Sequence, residues 1–138
     1  PHLHLEVRVG VNEFAATQNP TLWLKPADGT GLIAGRLIDP DGNAWEGVVV
    51  TLIDRRGELP FLNTWAYLDD PQSLIRPNPG LAENFVFGPI PAGTYDVYAS
   101  LQGVAYRQSV EVRAGQLTPV EIITQPGRLA TPEPIATP

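Results

Sequence analysis

Short runs of alternating apolar and polar residues fill most of the chain between Leu32 and Thr124, and glycine, proline, aspartate and asparagine separate them. Such alternation sends successive side chains to opposite faces of a strand, so each run predicts a half-buried β-strand. Seven runs stand out: Leu32 to Asp39, Gly47 to Asp54, Thr64 to Leu68, Asn84 to Phe87, Thr94 to Leu101, Ala105 to Arg113 and Leu117 to Thr124. One parity in each supplies an apolar face: Ile33 and Leu37, Val48, Val50 and Leu52, Phe85 and Phe87, Tyr95, Val97 and Ala99, Val110 and Val112, Val120 and Ile122. These residues are the expected inter-sheet core of an all-β, seven-strand sandwich of immunoglobulin or transthyretin type. Pro40-Asp41-Gly42-Asn43 and Pro91-Ala92-Gly93 read as turns, because proline presets φ and the glycine backbone is permissive enough to complete the reversal. Pro71 to Ala82, with three prolines, is a longer connection expected at the sandwich edge.

The flanks differ. Pro1 to Val9 alternates like a strand, and the chain from Gln125 reads QPGRLATPEPIATP, a Pro/Thr/Ala tract with little to bury, as in an extended linker. The organisation expected is therefore an N-terminal strand remnant over 1–24, a sandwich over 30–125 and a linker over 126–138. Pro1 is not a translation start and methionine is absent, so the chain is expected to come from a longer protein.

Composition narrows the partners. Hydrophobic residues make up 43% of the 138 positions, enough for a packed core. Fifteen acidic against nine basic residues give a net charge of −6, which disfavours nucleic acid and anionic membranes. Without cysteine there are neither disulfides nor thiolate metal sites. No apolar run reaches the roughly 18 residues of a membrane span.

Candidate chemistry begins with Pro1-His2-Leu3-His4-Leu5-Glu6-Val7-Arg8-Val9, where both imidazoles project from one face of the strand. An H-x-H pair can serve a metal, and surface strands carry histidine without one. The whole string PHLHLEVRV resembles the final motif of lysostaphin/LytM-type zinc endopeptidases, which cut peptide cross-links in bacterial cell walls. That resemblance implies His2 as general base and His4 as zinc ligand in the parent site. It also implies an upstream histidine and aspartate that this chain lacks, so zinc would belong to the parent and not to this chain. The strings Gly35 to Gly42, Glu46 to Leu52 and Phe85 to Val97 resemble the carboxypeptidase regulatory-like, transthyretin-like domains. Those serve as spacers, folding supports or binding modules on extracellular enzymes. Together the two resemblances imply a non-catalytic accessory module of a secreted peptidase, extracellular or in the cell envelope, with the bacterial cell wall or the parent peptidase domain as partner.

Three sharper readings compete with plainer ones. Asp39-Pro40-Asp41-Gly42-Asn43 has oxygen spacing like the start of a calcium loop but lacks its closing glutamate, and the same residues form turns unaided. Trp45, Trp65, Tyr67, Tyr98 and Tyr106 fall off the core parity. The first four are candidate binding residues for carbohydrate or peptidoglycan, and the plainer role of such aromatics is to fill edges and domain contacts. Trp23 is expected where the remnant meets the sandwich. Sandwiches of surface adhesins carry Lys-to-Asn cross-links, but Lys25 is the sole lysine and the last run has no Asn or Asp. No second cluster of catalytic residue types is evident, so an enzyme in its own right is the least supported class.

Overall fold

The computed structural model describes residues 1–72 and 74–125; the proline/threonine tract expected as a linker lies outside them. The described strands are, in chain order, β1 (Val7–Arg8), β2 (Thr17–Gln18), β3 (Thr30–Ile38), β4 (Val49–Asp54), β5 (Leu62–Trp65), β6 (Phe85–Pro91), β7 (Gly93–Leu101), β8 (Val104–Val112) and β9 (Leu117–Ile123). The last seven form the expected all-β sandwich, with one sheet ordered β6-β3-β9 and the other β5-β4-β7-β8. Every pairing is antiparallel except β3 with β9, which run parallel from Leu32↔Leu117 to Ile38↔Ile123. The turn after β8 carries the chain from the four-stranded sheet to the three-stranded one, and β9 arrives there alongside β3.

The apolar parity forms the core. Ile33, Leu37, Val50, Leu52, Phe85, Tyr95 and Val97 are at most 1% exposed, and each such side chain contributes about 1.5 to 3 kcal/mol on burial. Phe85 and Phe87 meet edge to face at 6.0 Å. Phe85 lies directly over Gly35, where a Cβ would overlap its ring; only glycine lets that ring reach the sheet.

Four expectations need correction. Trp45 is off the core parity, yet it is a core residue. The alternation rule does not reach it because it lies on a loop, held to β3 by its main-chain N–H bond to the Leu37 carbonyl. Ile90 and Leu101 join the core, while Val48 only packs against it. The third strand spans 62–65 and not 64–68, since the last bonds to the neighbouring strand's side are those of Ala66 with Val48 and Gly47, and Tyr67 N–H turns to the Asn84 carbonyl. The fourth continues past Phe87 to Pro91, which an edge strand tolerates because one row of its N–H groups has no ladder partner to lose.

Asn84, 3% exposed, ties the approach to β6 to the end of β3 and to the Trp45 loop. Its Oδ1 accepts from Leu37 N–H at 2.8 Å, and its Nδ2 donates to the carbonyls of Leu37 and Trp45 at 2.9 and 3.0 Å. A side-chain amide thus completes a ladder that the backbone cannot.

Candidate functional site

The histidine motif lies away from the sandwich core. Its even positions cluster: His4 Nε2 is 2.7 Å from Glu6 Oε1, and Arg8 Nη2 donates to Glu6 Oε2 at 2.7 Å. The bonds from His4 and then Arg8 hold the Glu6 carboxyl below its ordinary range. These residues do not fit a zinc centre. The Glu6 carboxylate is already tied to a guanidinium, His2 and His4 are the only histidines, and a catalytic zinc takes three protein ligands. Among the described residues no three metal-ligating side chains gather.

The turn reading of Asp39 accounts for its carboxylate. Oδ1 accepts from the N–H groups of Asp41 (3.0 Å) and Asn43 (2.8 Å), and Oδ2 from Asn43 Nδ2 at 3.1 Å. Lys25 is exposed ahead of β3.

The four candidate aromatics do not share one surface. Trp45 is buried, donating its indole N–H to Thr124 Oγ1 at 3.0 Å. Tyr98 has the Arg107 guanidinium 5.8 Å from its ring centre. Trp65 pairs across from Val49, and Tyr98 across from Thr51, so both sit on the outer face of the four-stranded sheet. Only Trp65 is broadly open there, at 62% exposure. Tyr67 faces a different task.

That task is a polar clamp that sequence reasoning missed. Residues 15–23 dock on the proline-rich connection between β5 and β6. Arg76 N–H bonds the Thr17 carbonyl at 2.7 Å and Arg76 Nε donates to the Ala15 carbonyl at 3.2 Å. Gln18 Oε1 accepts from both Trp23 Nε1 and Asn78 Nδ2, each at 3.2 Å. Asn19 Nδ2 donates to the Tyr67 hydroxyl at 3.3 Å, and that hydroxyl donates to Glu83 Oε1 at 3.1 Å. Asn78 N–H meets Glu83 Oε2 at 2.9 Å. Thr17, Gln18 and Glu83 are 7%, 4% and 1% exposed. Burial pushes the Glu83 carboxyl above its ordinary range, and burial followed by the neighbouring Glu83 charge raises the Tyr67 phenol. Two local signals point here: Asn19 before Pro20, which caps the 3-10 turn Pro20–Trp23, and the polar pair Glu83-Asn84 directly before a core phenylalanine. Their partners lie from 5 residues away (Asn78 for Glu83) to 48 (Tyr67 for Asn19), and alternation carries no information about them.

Trp23, expected at the junction, is there through Gln18, though half of it stays exposed. The N-terminal segment joins neither sheet: β1 pairs only with β2, and Leu3 and Leu5 are exposed.

No family profile and no curated protein matches the chain. Among solved structures, the Bacillus anthracis TIE protein aligns with a TM-score of 0.50 and 13% identity, over 70% of this chain and 16% of its own. BcpA, the major pilin subunit of Bacillus cereus, aligns in two structures with TM-scores of 0.43 and 17% identity, over 68% and 70% of this chain and 29% and 30% of its own. The chain thus spans less than a third of either protein. What the TIE likeness shows is the all-β fold alone.

Proposed function

We propose that this chain is a non-catalytic accessory module of a secreted cell-wall zinc endopeptidase, in which the sandwich grips the tail of the peptidase domain and fixes its orientation at the cell envelope. The observation that carries this reading is the clamp. Hydrogen bonds, most of them half-buried, tie residues 15–23 to Tyr67, Arg76 and Asn78, and through the Tyr67 hydroxyl to Glu83, so the segment after the histidine motif is held and does not behave as a free tether. The resemblance of PHLHLEVRV to the endopeptidase motif is what supports such a parent. The fold supplies a scaffold whose hydrophobic core includes none of the clamp residues.

Amide hydrogen exchange tests the grip. The N–H groups of residues 17–23 are expected to be protected well above the unstructured rate, and Asn19→Ala combined with Gln18→Ala to release them while β3 to β9 stay protected. Unstructured exchange rates at those amides in the unaltered chain would overturn the reading. The parent is tested separately by the coding sequence upstream of Pro1, where an H-x-x-x-D motif is expected.

A further inference from the structure

Beside the clamp, the surface between the end of β5 and the proline-rich connection folds into a groove with two unlike ends. One end is an open apolar cleft of about 490 Å³ lined by Trp65, Ala66, Tyr67, Leu68 and Ile75. The other, which shares Tyr67, Leu68 and Ile75, is a hollow of about 180 Å³ with Glu46, Asp69 and Arg76 in its walls. Trp65 and Leu68 keep 62% and 46% of their surface open, so the apolar end is not filled from within.

The charges at the other end are unbalanced. Glu46 and Asp69 are exposed, and among the described residues neither carboxylate enters a salt bridge or a side-chain hydrogen bond. The guanidinium in that wall, from Arg76, bonds the Ala15 carbonyl through Nε. The wall itself is built in place. Gly47, at φ +65°, brings its backbone so close to Leu68 that an added Cβ would lie 2.9 Å from Leu68 Cδ2. A larger residue there would push on the groove and strain the backbone.

A cation carried on an aliphatic stem matches both ends at once. The stem packs on apolar surface, the open indole included, while its head reaches the carboxylates. We propose that this groove binds a lysine side chain presented by an extended peptide, its methylene stem against Trp65, Leu68 and Ile75 and its ammonium toward Glu46 and Asp69. A sugar ring would stack on Trp65 and donate its hydroxyls to the carboxylates but would gain nothing from their net charge, and an acidic peptide would be repelled by it. The inference stands apart from the histidine motif, and the groove shares Tyr67 and Arg76 with the grip on residues 15–23.

The test is an NMR titration of the full chain with N-acetyl-Ala-Lys-Ala-amide. The Trp65 indole signal is assigned through Trp65→Phe. Saturable shifts are expected at the Trp65 indole and at residues 66–69 and 75, weakening as salt rises. Glu46→Gln with Asp69→Asn, both exposed positions, is expected to weaken binding about fivefold to tenfold, the scale of one or two partly screened ion contacts. The same peptide with Nε-acetyl-lysine is expected to bind at least as weakly. Equal binding of the acetylated peptide, shifts scattered over the surface, or no saturable shift would overturn the proposal. So would an N-acetylglucosamine disaccharide that produced the same shifts regardless of the two substitutions, which would make the groove a glycan site.

Discussion

Single buried polar side chains set much of what is specific to this sandwich, and Asn84 is the clearest case. Its amide serves three backbone groups of Leu37 and Trp45 at 2.8 to 3.0 Å. Asn84→Ala leaves all three without that partner and is expected to cost about 2 to 4 kcal/mol, read as a lower midpoint in chemical denaturation with an unchanged slope. Asn84→Asp keeps the acceptor for Leu37 N–H but faces two carbonyls with a carboxylate, so no rescue is expected. Glu83 gives a pH dependence. Its partners are a phenol and a main-chain N–H, both neutral, and burial raises its carboxyl above the ordinary value of 4.5. The folded state then holds the proton more tightly than the unfolded one. Stability from this group is fully present below the unfolded value and is lost as pH rises through the higher folded one. The chain is expected to unfold more readily at pH 8 than at pH 5, and Glu83→Gln to flatten that slope. An equal slope in the variant would place the cause elsewhere.

At the scale of elements, alternation located all seven sandwich strands, because a strand half exposed on a sheet must alternate whatever its neighbours are. Its failures have physical reasons. Trp45 lies on a loop and enters the core by a backbone bond to Leu37, and a loop has no period to read. β6 runs on through Gly88, Pro89 and Pro91, where prolines signalled a stop that edge position makes unnecessary. The parallel pairing of β3 with β9 depends on where the chain crosses between sheets, which local pattern does not encode. Of the candidate site, the aromatic residues were legible and their surroundings were not, since off-parity position states only that a side chain avoids the core face of its own strand. The docked segment is the element most open to direct challenge. Arg76→Ala removes the side-chain bond to the Ala15 carbonyl but keeps the main-chain bond to Thr17. It is expected to loosen residues 9–16 to proteolysis while leaving 17–23 protected, seen as faster nicking without a change in thermal midpoint.

For the molecule as a whole, the question is whether the sandwich needs what precedes it. Every residue of the hydrophobic core lies between Ile33 and Ile122, and the two sheets close over one another without β1 or β2. Backbone bonds from the clamp connection also remain inside that span, Tyr67 N–H to the Asn84 carbonyl and Asn84 N–H to the Gly35 carbonyl. Removing residues 1–29 deletes the Asn19 bond to the Tyr67 hydroxyl and the Gln18 bond to Asn78, hands the two Arg76 bonds to Thr17 and Ala15 over to water at an exposed residue, and opens the Glu83 carboxyl to water. The first two losses destabilise by about 1 kcal/mol each at most, and hydration of Glu83 offsets part of this. A chain of residues 30–125 is therefore expected to unfold in one cooperative transition, with a midpoint roughly 5 °C lower at pH 5 for a domain of this size. The deficit is expected to shrink at pH 8, where the intact chain bears the cost of a buried Glu83 charge and the shortened one does not. Calorimetry at the two pH values decides it. A broad, non-cooperative melt would make residues 1–29 part of the folding unit, and a deficit that grew with pH would reverse the role assigned to Glu83.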